Sequence, residues 1–215
     1  MFTVNKCCHQ GCNASSLSLI DFENDQILDV PGFCLDHCEN AKQVEEDIIR
    51  YVKEHEKIVG LNACGITFEN IDLSKKKFYG CNFQHCNFLN VQAQECRFRI
   101  SFFDFSIFAD CNLRSSYMQF SSFEGSTFSH VIFTGSDLIY NNFCGISAYQ
   151  SSFDDTDLYN SRFIHSTFNF VSFRNCNLKN ANFIDIDQSE VSFKLSNTKS
   201  AIFTNDIDDD IEGEV

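Results

Sequence analysis

The chain has 215 residues, of which 43% are hydrophobic, so it can bury a core and does not have the composition of a disordered polymer. It contains 25 Phe, no Trp and 12 Cys, and no run of 18 apolar residues exists that could form a membrane-spanning helix. Met1–Lys6 lacks a secretion signal and the formal net charge is −14, so we expect a cytoplasmic protein with reduced thiols and no direct binding to nucleic acid.

Residues 1–39 carry two short clusters of cysteine and histidine, each within six residues of chain. Such spacing is typical of tetrahedral zinc sites, in which two tight turns each supply two soft ligands to one ion. The segment resembles small zinc-ribbon-like modules. We predict a structural zinc ion with the ligands Cys7, Cys12, Cys34 and His37, and with Cys8 and Cys38 as alternates. The competing interpretation is a set of reduced cysteines that bind no metal.

Residues 40–60 are predicted to cap the repeat region that follows. An amphipathic helix is expected over residues 40–58, with Asn40 as N-cap and Gln43 completing a capping-box pattern. Its apolar stripe consists of Val44, Ile48, Tyr51, Val52 and His55. Because the end coil of a solenoid exposes core residues and unpaired backbone, we expect this stripe to cover the first coil.

A five-residue repeat dominates the rest of the chain. From Phe68 to Phe203, every fifth residue belongs to a register of 28 positions, and Phe, Leu or Met fills 24 of them. A second column, two residues earlier, holds mostly small or β-branched residues, with Lys76 and Asn141 as exceptions. Helices repeat about every 3.6 residues and strands every two, so a period of five predicts a chain that turns a corner once per repeat.

The repeat resembles the pentapeptide-repeat family, whose unit has a central Phe or Leu preceded at two residues by a small residue. Cys-Asn-Phe at 81–83 and Ala-Asn-Phe at 181–183 are close to this unit. The resemblance implies an all-β solenoid over residues 61–205. It would be a right-handed quadrilateral β-helix of about seven coils, about 34 Å long. Residues twenty apart would then stack, which predicts a phenylalanine ladder from Phe83 to Phe203.

Five cysteines fall in the small column of the repeat: Cys81, Cys86, Cys96, Cys111 and Cys176. We interpret them as buried packing residues with inert thiols. The ladder columns are interrupted near the C-terminus by Gln188 and Thr198, so we expect the last coils to be the looser end.

Residues 206–215 contain six acids and no base. This composition predicts a disordered, solubilising tail. Related pentapeptide-repeat proteins often pair through a C-terminal helix, and the tail has no such helical pattern. The oligomeric state is therefore not predicted.

Large apolar side chains are expected to gather on one outer side of about five coils: Tyr79, Ile100, Tyr117, Phe120, Ile139, Tyr140 and Tyr159. Exposed patches of this kind mark protein interfaces. The sequence contains no phosphate-binding glycine loop and no nucleophile elbow. We therefore predict a protein-binding or scaffold protein that is not an enzyme, with a protein partner that the sequence does not identify.

The resemblance also implies an alternative function. Quinolone-resistance proteins of the family imitate B-DNA and bind DNA gyrase or topoisomerase IV. Residues 66–205 carry 13 acids and 11 bases, so the repeat lacks a strongly acidic surface, and its unbroken register leaves no room for projecting loops. We therefore rank DNA mimicry second.

Overall fold

The structure is a computed structural model that describes residues 5–204. The acidic segment 206–215, predicted to be disordered, lies outside the described residues. The described chain consists of an N-terminal module, one α-helix and a right-handed, four-sided β-helix of about seven coils, as predicted. No helix among residues 5–204 is long and apolar enough to cross a membrane.

The N-terminal module contains a hairpin and a single 3-10 turn. Strands β1 (Leu19–Asp21) and β2 (Gln26–Leu28) pair antiparallel, and the turn spans Leu35–His37. Ser18 donates its N–H to the carbonyl of Asn62 at 2.9 Å, and the Ser18 hydroxyl accepts the Asn62 N–H at 2.9 Å. The module therefore satisfies backbone groups at the open end of the β-helix.

Helix α1 (Ala41–Glu54) covers the first coil, as predicted. Its buried side chains are Ile48, Tyr51 and Val52, which share one hydrophobic core with the inward residues of the coil. The amphipathic pattern requires this arrangement, because residues three and four apart lie on one face of a helix.

Helix α1 begins after the predicted N-cap residue Asn40, but its capping hydrogen bonds and its C-terminal end differ from the prediction. The capping-box prediction is wrong, because the Asn40 side chain makes no capping hydrogen bond and Gln43 Nε2 donates instead to Asp47 Oδ1 at 3.1 Å. The helix ends at Glu54 rather than at residue 58. The reason is that Lys57–Val59 is already a strand of the β-helix.

The β-helix is built from short parallel strands. They are β3 (Lys57–Val59), β4 (Thr67–Glu69), β5 (Lys77–Tyr79), β6 (Asn87–Leu89), β7 (Arg97–Arg99), β8 (Ile107–Ala109), β9 (Tyr117–Gln119), β10 (Thr127–Ser129), β11 (Ser147–Tyr149), β12 (Thr167–Asn169), β13 (Asn182–Phe183), β14 (Asp187–Ser189) and β15 (Ile202–Phe203). A 3-10 turn spans Thr198–Ser200. The sheet orders are β3-β5-β7-β9, β14-β12-β11-β10-β8-β6-β4 and β13-β15.

Every parallel pairing and bridge of the β-helix joins residues one coil apart, such as Phe78 with Phe98 and Asn82 with Phe102. The repeat also begins earlier than the sequence reading suggested. Ile58 and Ala63 are fully buried and precede Phe68 in the same five-residue register. Ile58 and Ala63 are not the Phe or Leu typical of the repeat, so the sequence pattern alone does not identify them as its first positions.

The predicted phenylalanine ladder is confirmed. From Phe83 to Phe203, rings twenty residues apart lie 4.7 to 5.2 Å from centroid to centroid, with interplanar angles of 4° to 13°. Phe103, Phe123 and Phe143 therefore lie directly above one another. Rings of neighbouring sides meet edge-on, as Phe163 and Phe173 do at 5.6 Å, so the centre of the rod is filled by aromatic contacts.

Small inward residues link each coil to the coil before it. The Ser106 hydroxyl donates to the carbonyl of Phe83 at 2.8 Å and accepts the N–H of Cys86 at 3.0 Å. The Cys96 thiol donates to the carbonyl of Leu73 at 2.7 Å. Burial raises the pKa of Cys96 to about 12, so its thiol stays protonated and unreactive at neutral pH.

The two exceptions in the small column have specific partners. Lys76 Nζ donates to the carbonyls of Lys53 and His55 at 2.9 and 2.7 Å, at the C-terminal end of α1, where a cation is favoured by the helix dipole. The buried Asn141 amide donates to the carbonyl of Met118 at 2.5 Å, in the way that Ser and Cys do elsewhere.

The corners of the β-helix adopt left-handed backbone. In the five-residue register of large inward residues, the second residue after each position from Ile58 to Phe193 has a positive φ, which lies between 45° and 67° where that residue is not glycine. Glycine, Asn and Asp tolerate this region, whereas β-branched and bulky residues do not favour it. Ile100, Phe120, Tyr140 and Phe170 nevertheless occupy such corners.

Candidate metal centre and exposed aromatic face

Four side chains of the N-terminal module converge on one point. Each offers one ligand atom, and these atoms all lie within 4.8 Å of one another: Cys7, Cys12, Cys34 and His37. The Cys12 and Cys34 sulphurs are 3.9 Å apart, and His37 Nδ1 is 3.6 Å from the Cys7 sulphur. In a tetrahedral site with Zn–S bonds of about 2.3 Å, ligand atoms are about 3.6 to 3.8 Å apart. The cluster could therefore hold one metal ion.

Two tight turns present these ligands. His37 and Cys38 donate their N–H groups to the carbonyl of Cys34 at 3.1 and 3.0 Å, which places Cys34 and His37 on the same 3-10 turn. The other turn is closed by a hydrogen bond from the Cys12 N–H to the carbonyl of His9 at 3.0 Å. The sequence spacing of each pair therefore becomes a short distance between side chains.

The two most buried thiols of the cluster differ in their acidity. Desolvation raises the pKa of Cys7, but hydrogen bonds from Cys34, His9 and His37 outweigh it and lower this pKa to about 6. At Cys34 desolvation prevails and the pKa is raised. The lowered pKa favours the thiolate form of Cys7, and the thiolate is the form that binds metals.

The alternate ligands are not brought into the cluster. Cys8 is exposed and Cys38 is partly buried, and neither belongs to the converging group of the described chain. The sequence analysis missed His9, whose ring stacks on that of His37 at 3.9 Å with an interplanar angle of 6°. This stack fixes the plane of the His37 ring, as outer contacts do for metal-binding histidines.

The residues predicted to bind protein lie on or beside the sheet β3-β5-β7-β9, and we call this surface the aromatic face. Four of them are 44 to 56% exposed: Ile100, Tyr117, Phe120 and Tyr140. The other three are partly buried: Tyr79, Ile139 and Tyr159. The Tyr140 ring stacks on Phe120 at 5.1 Å and meets Tyr159 edge-on at 5.5 Å.

Cations accompany these rings. The Arg97 guanidinium lies 5.1 Å from the centroid of Tyr117, and the Lys57 ammonium lies 5.9 Å from that of Tyr79. Both are within the range of cation–π attraction. The sequence analysis missed them because Lys57 and Arg97 are 40 residues apart and share a column only after the chain is wound at twenty residues per coil.

Other sides of the β-helix also expose aromatic residues that the sequence analysis did not single out. Phe105, Tyr149 and Phe170 are 43 to 55% exposed. Phe105 stacks on His85 at 5.4 Å, and Tyr149 meets Phe170 edge-on at 6.3 Å. Exposure alone therefore does not distinguish the aromatic face from the other sides of the β-helix. The cations that lie over its rings do distinguish it.

Replacing Ile100 by asparagine is expected to stabilise the protein. Ile100 is 56% exposed and has a φ of 53°, a conformation that costs a β-branched residue about 1 kcal/mol or more. Chemical unfolding should therefore show a gain of about 1 kcal/mol for Ile100→Asn. Ile107→Asn is the matched control, because Ile107 is a comparably exposed residue within strand β8 and has no positive φ. An equal change in both variants would contradict the strain argument.

Family models match the repeat directly. The model described as a pentapeptide repeat region matches residues 126–203, and the model for pentapeptide repeats (8 copies) matches residues 65–99 and 106–139. The chain belongs to the pentapeptide-repeat family. The matches lie within the β-helix, so the N-terminal module and α1 are additions to the pentapeptide-repeat domain. No curated protein sequence matches the chain.

Solved pentapeptide-repeat proteins are similar to this chain at low identity. Rfr23 from the cyanobacterium Cyanothece 51142 is 15% identical with a TM-score of 0.41, over 43% of this chain and 63% of that one. QnrB1, a plasmid-mediated fluoroquinolone resistance protein, is 16% identical with a TM-score of 0.32, over 72% and 94%. HetL from the cyanobacterium Nostoc, involved in heterocyst differentiation regulation, is 14% identical with a TM-score of 0.20, over 74% and 97%.

Proposed function

We propose that this pentapeptide-repeat protein is a non-enzymatic protein-binding or scaffold protein that holds a protein partner on the aromatic face. The observation that supports the proposal is the contiguous group of Phe120, Tyr140 and Tyr159 rings. Arginine lies over Phe120, and arginine and lysine lie over neighbouring rings of the same face. Tyrosine, phenylalanine and arginine are the residues enriched at the centres of protein interfaces. A rod with a packed aromatic core presents them rigidly, which lowers the entropy lost on binding.

Backbone strain supports the same surface. Ile100, Phe120 and Tyr140 hold consecutive positions of one corner column with φ of 53°, 55° and 57°. Glycine or asparagine would relieve this strain at each position. Phe105 and Phe170 carry the same strain on other sides of the rod, so the strain supports the aromatic face only because three bulky residues hold consecutive positions there.

The metal centre has a structural role in this proposal. Three thiols and one imidazole would complete the tetrahedral coordination of a zinc ion and would leave no open position for a substrate or water. Zinc suits this donor set, since it prefers sulphur and imidazole nitrogen. Bound zinc would join the two turns of the N-terminal module and hold the module against the first coil.

The alternative function is binding to DNA gyrase or topoisomerase IV by imitation of DNA. A DNA mimic presents a regular line of negative charge. On the aromatic face, Lys57, Lys77 and Arg97 instead form an exposed line of positive charge. This observation favours a protein partner other than the DNA-binding groove of a topoisomerase.

Replacing Phe120 and Tyr140 by serine is expected to remove partner binding. Tagged wild-type protein and Phe120→Ser/Tyr140→Ser would be used to capture proteins from cells of the source organism. We expect at least a tenfold loss of specifically captured partner, because aromatic anchors contribute about 2 kcal/mol or more each. The readout is the amount of each captured protein, measured by quantitative mass spectrometry.

A matched control removes two exposed rings from other sides of the rod. Phe105 and Phe170 are about as exposed as Phe120 and also occupy left-handed corners. Phe105→Ser/Phe170→Ser should capture the same partner as the wild type. If both double variants lose the partner equally, the aromatic face is not the binding surface.

A further inference from the structure

One column of outward side chains on the aromatic face changes sign along the rod. Lys57, Lys77 and Arg97 are paired in register on strands β3, β5 and β7, and Tyr117 on β9 follows them. The column then continues through bridges from Tyr117 to Asp137 and from Asp137 to Asp157. Since adjacent coils are about 4.8 Å apart, three cations, one ring and two carboxylates lie on a single line.

The cations of this column are not neutralised within one chain. Lys57, Lys77 and Arg97 are exposed, and no ion pair within residues 5–204 involves them. Like charges directly opposite one another on paired strands are destabilising. The repulsion would be relieved by a surface that places carboxylates against the same three coils.

The column itself provides such a surface for Lys77 and Arg97, whereas Lys57 would face Asn177. A two-fold axis along the strand direction, passing through Tyr117, maps the column onto itself with its order reversed. Arg97 of one copy then lies opposite Asp137 of the other, and Lys77 lies opposite Asp157. Each contact occurs twice, as a two-fold interface requires.

The aromatic residues follow the same symmetry. In the corner column, Phe120 meets Phe120 of the second copy, and Ile100 of each copy faces Tyr140 of the other. Tyr79 belongs to a third outward column, two residues after that of Lys77, and in this column Tyr79 faces Tyr159. In the same column Arg99 faces Ile139, so one contact of this register joins a cation to an apolar side chain.

We infer that a second copy of this chain packs antiparallel on the aromatic face, with Tyr117 and Phe120 at the two-fold axis. This inference rests on the proposed protein-binding role of that face and names its occupant. The paired part of the face, from Lys77 to Asp157, is about 19 Å long and, with its corners, about 17 Å wide. Such an area is smaller than that of stable specific interfaces, so the dimer should be weak and dissociate in the micromolar range.

Charge reversal tests the inference. Sedimentation equilibrium of the full chain between about 1 and 200 μM should show a monomer–dimer equilibrium for the wild type. Arg97→Asp or Asp137→Arg alone puts like charges opposite each other twice per dimer, and either should raise the dissociation constant at least about tenfold. The combined variant Arg97→Asp/Asp137→Arg should return to within about threefold of the wild type.

Arg174→Asp is the control, because Arg174 is exposed on another side of the rod and its reversal should leave the dissociation constant unchanged. Circular dichroism will show whether a substitution at Asp137 disturbs folding. In that case, Lys77→Asp and Asp157→Lys, alone and combined, repeat the test one coil further out. A wild type that stays monomeric at the highest concentration would overturn the inference. So would combined variants that are no better than the single ones.

The inference and the proposed function can fail separately. A monomeric wild type that still captures a partner through Phe120 and Tyr140 would reject self-association and leave the protein-binding role intact. The opposite outcome is a dimer that follows the charge-reversal pattern, with no captured protein that depends on Phe120 and Tyr140. It would support self-association and reject a partner other than a second copy of the chain.

Discussion

Replacing Cys34 by serine is expected to abolish zinc binding and to unfold the N-terminal module. Cys34 is buried, its sulphur is 3.2 Å from His37 Nδ1 and 3.9 Å from the Cys12 sulphur, and Cys8 and Cys38 lie outside the ligand cluster. Structural zinc contributes about 10 kcal/mol or more to the folding of small modules. Metal analysis of the purified protein should give about one equivalent of zinc for the wild type and less than about half for Cys34→Ser.

The consequence for folding should be confined to the start of the chain. Hydrogen exchange in residues 5–39 should rise by at least about a hundredfold in Cys34→Ser, while the β-helix keeps its protection, because its core is built from its own coils. Cys38→Ser is the matched control and should keep its zinc, since Cys38 lies outside the ligand cluster. A wild type without zinc, or a Cys38→Ser variant that loses zinc while Cys34→Ser keeps it, would refute the assigned ligand set.

Replacing Phe123 by alanine is expected to destabilise the β-helix by about 3 to 5 kcal/mol. Phe123 is fully buried, and its ring stacks on those of Phe103 and Phe143 at 4.8 and 4.9 Å. The aromatic filling of the rod leaves few atoms able to move into the cavity, so contacts on both sides of the missing ring are lost. Urea unfolding, followed by circular dichroism, measures the change in free energy.

Phe170→Ala controls for the loss of a phenylalanine in itself. Phe170 is 53% exposed at a corner of the β-helix, so its removal should cost less than about 0.5 kcal/mol. Phe203→Ala should fall between the two, because Phe203 in the last described coil is only partly buried. A loss below about 1 kcal/mol for Phe123→Ala would contradict the stacked core.

Some features of the candidate site could be predicted from the sequence because the necessary signal is local. Cys34 and His37 are three residues apart, and one tight turn brings the Cys34 sulphur and His37 Nδ1 to within 3.2 Å of each other. The alternates could not be separated from the ligands in this way. Cys8 and Cys38 have almost the same spacing as Cys7 and Cys34, and only the fold of the two turns decides which sulphurs face inward.

The sequence alone determined the repeating architecture, since a period of five with one bulky residue per repeat allows only a chain that turns at regular corners around a central stack. It also sufficed to assign the inert cysteines, because their column holds mostly small or β-branched residues. Only the tertiary structure decided where the solenoid begins, because Ile58 and Ala63 acquire their roles by pairing one coil away. The line of cations on the aromatic face likewise exists only after winding, since charges twenty residues apart in sequence become neighbours about 4.8 Å apart.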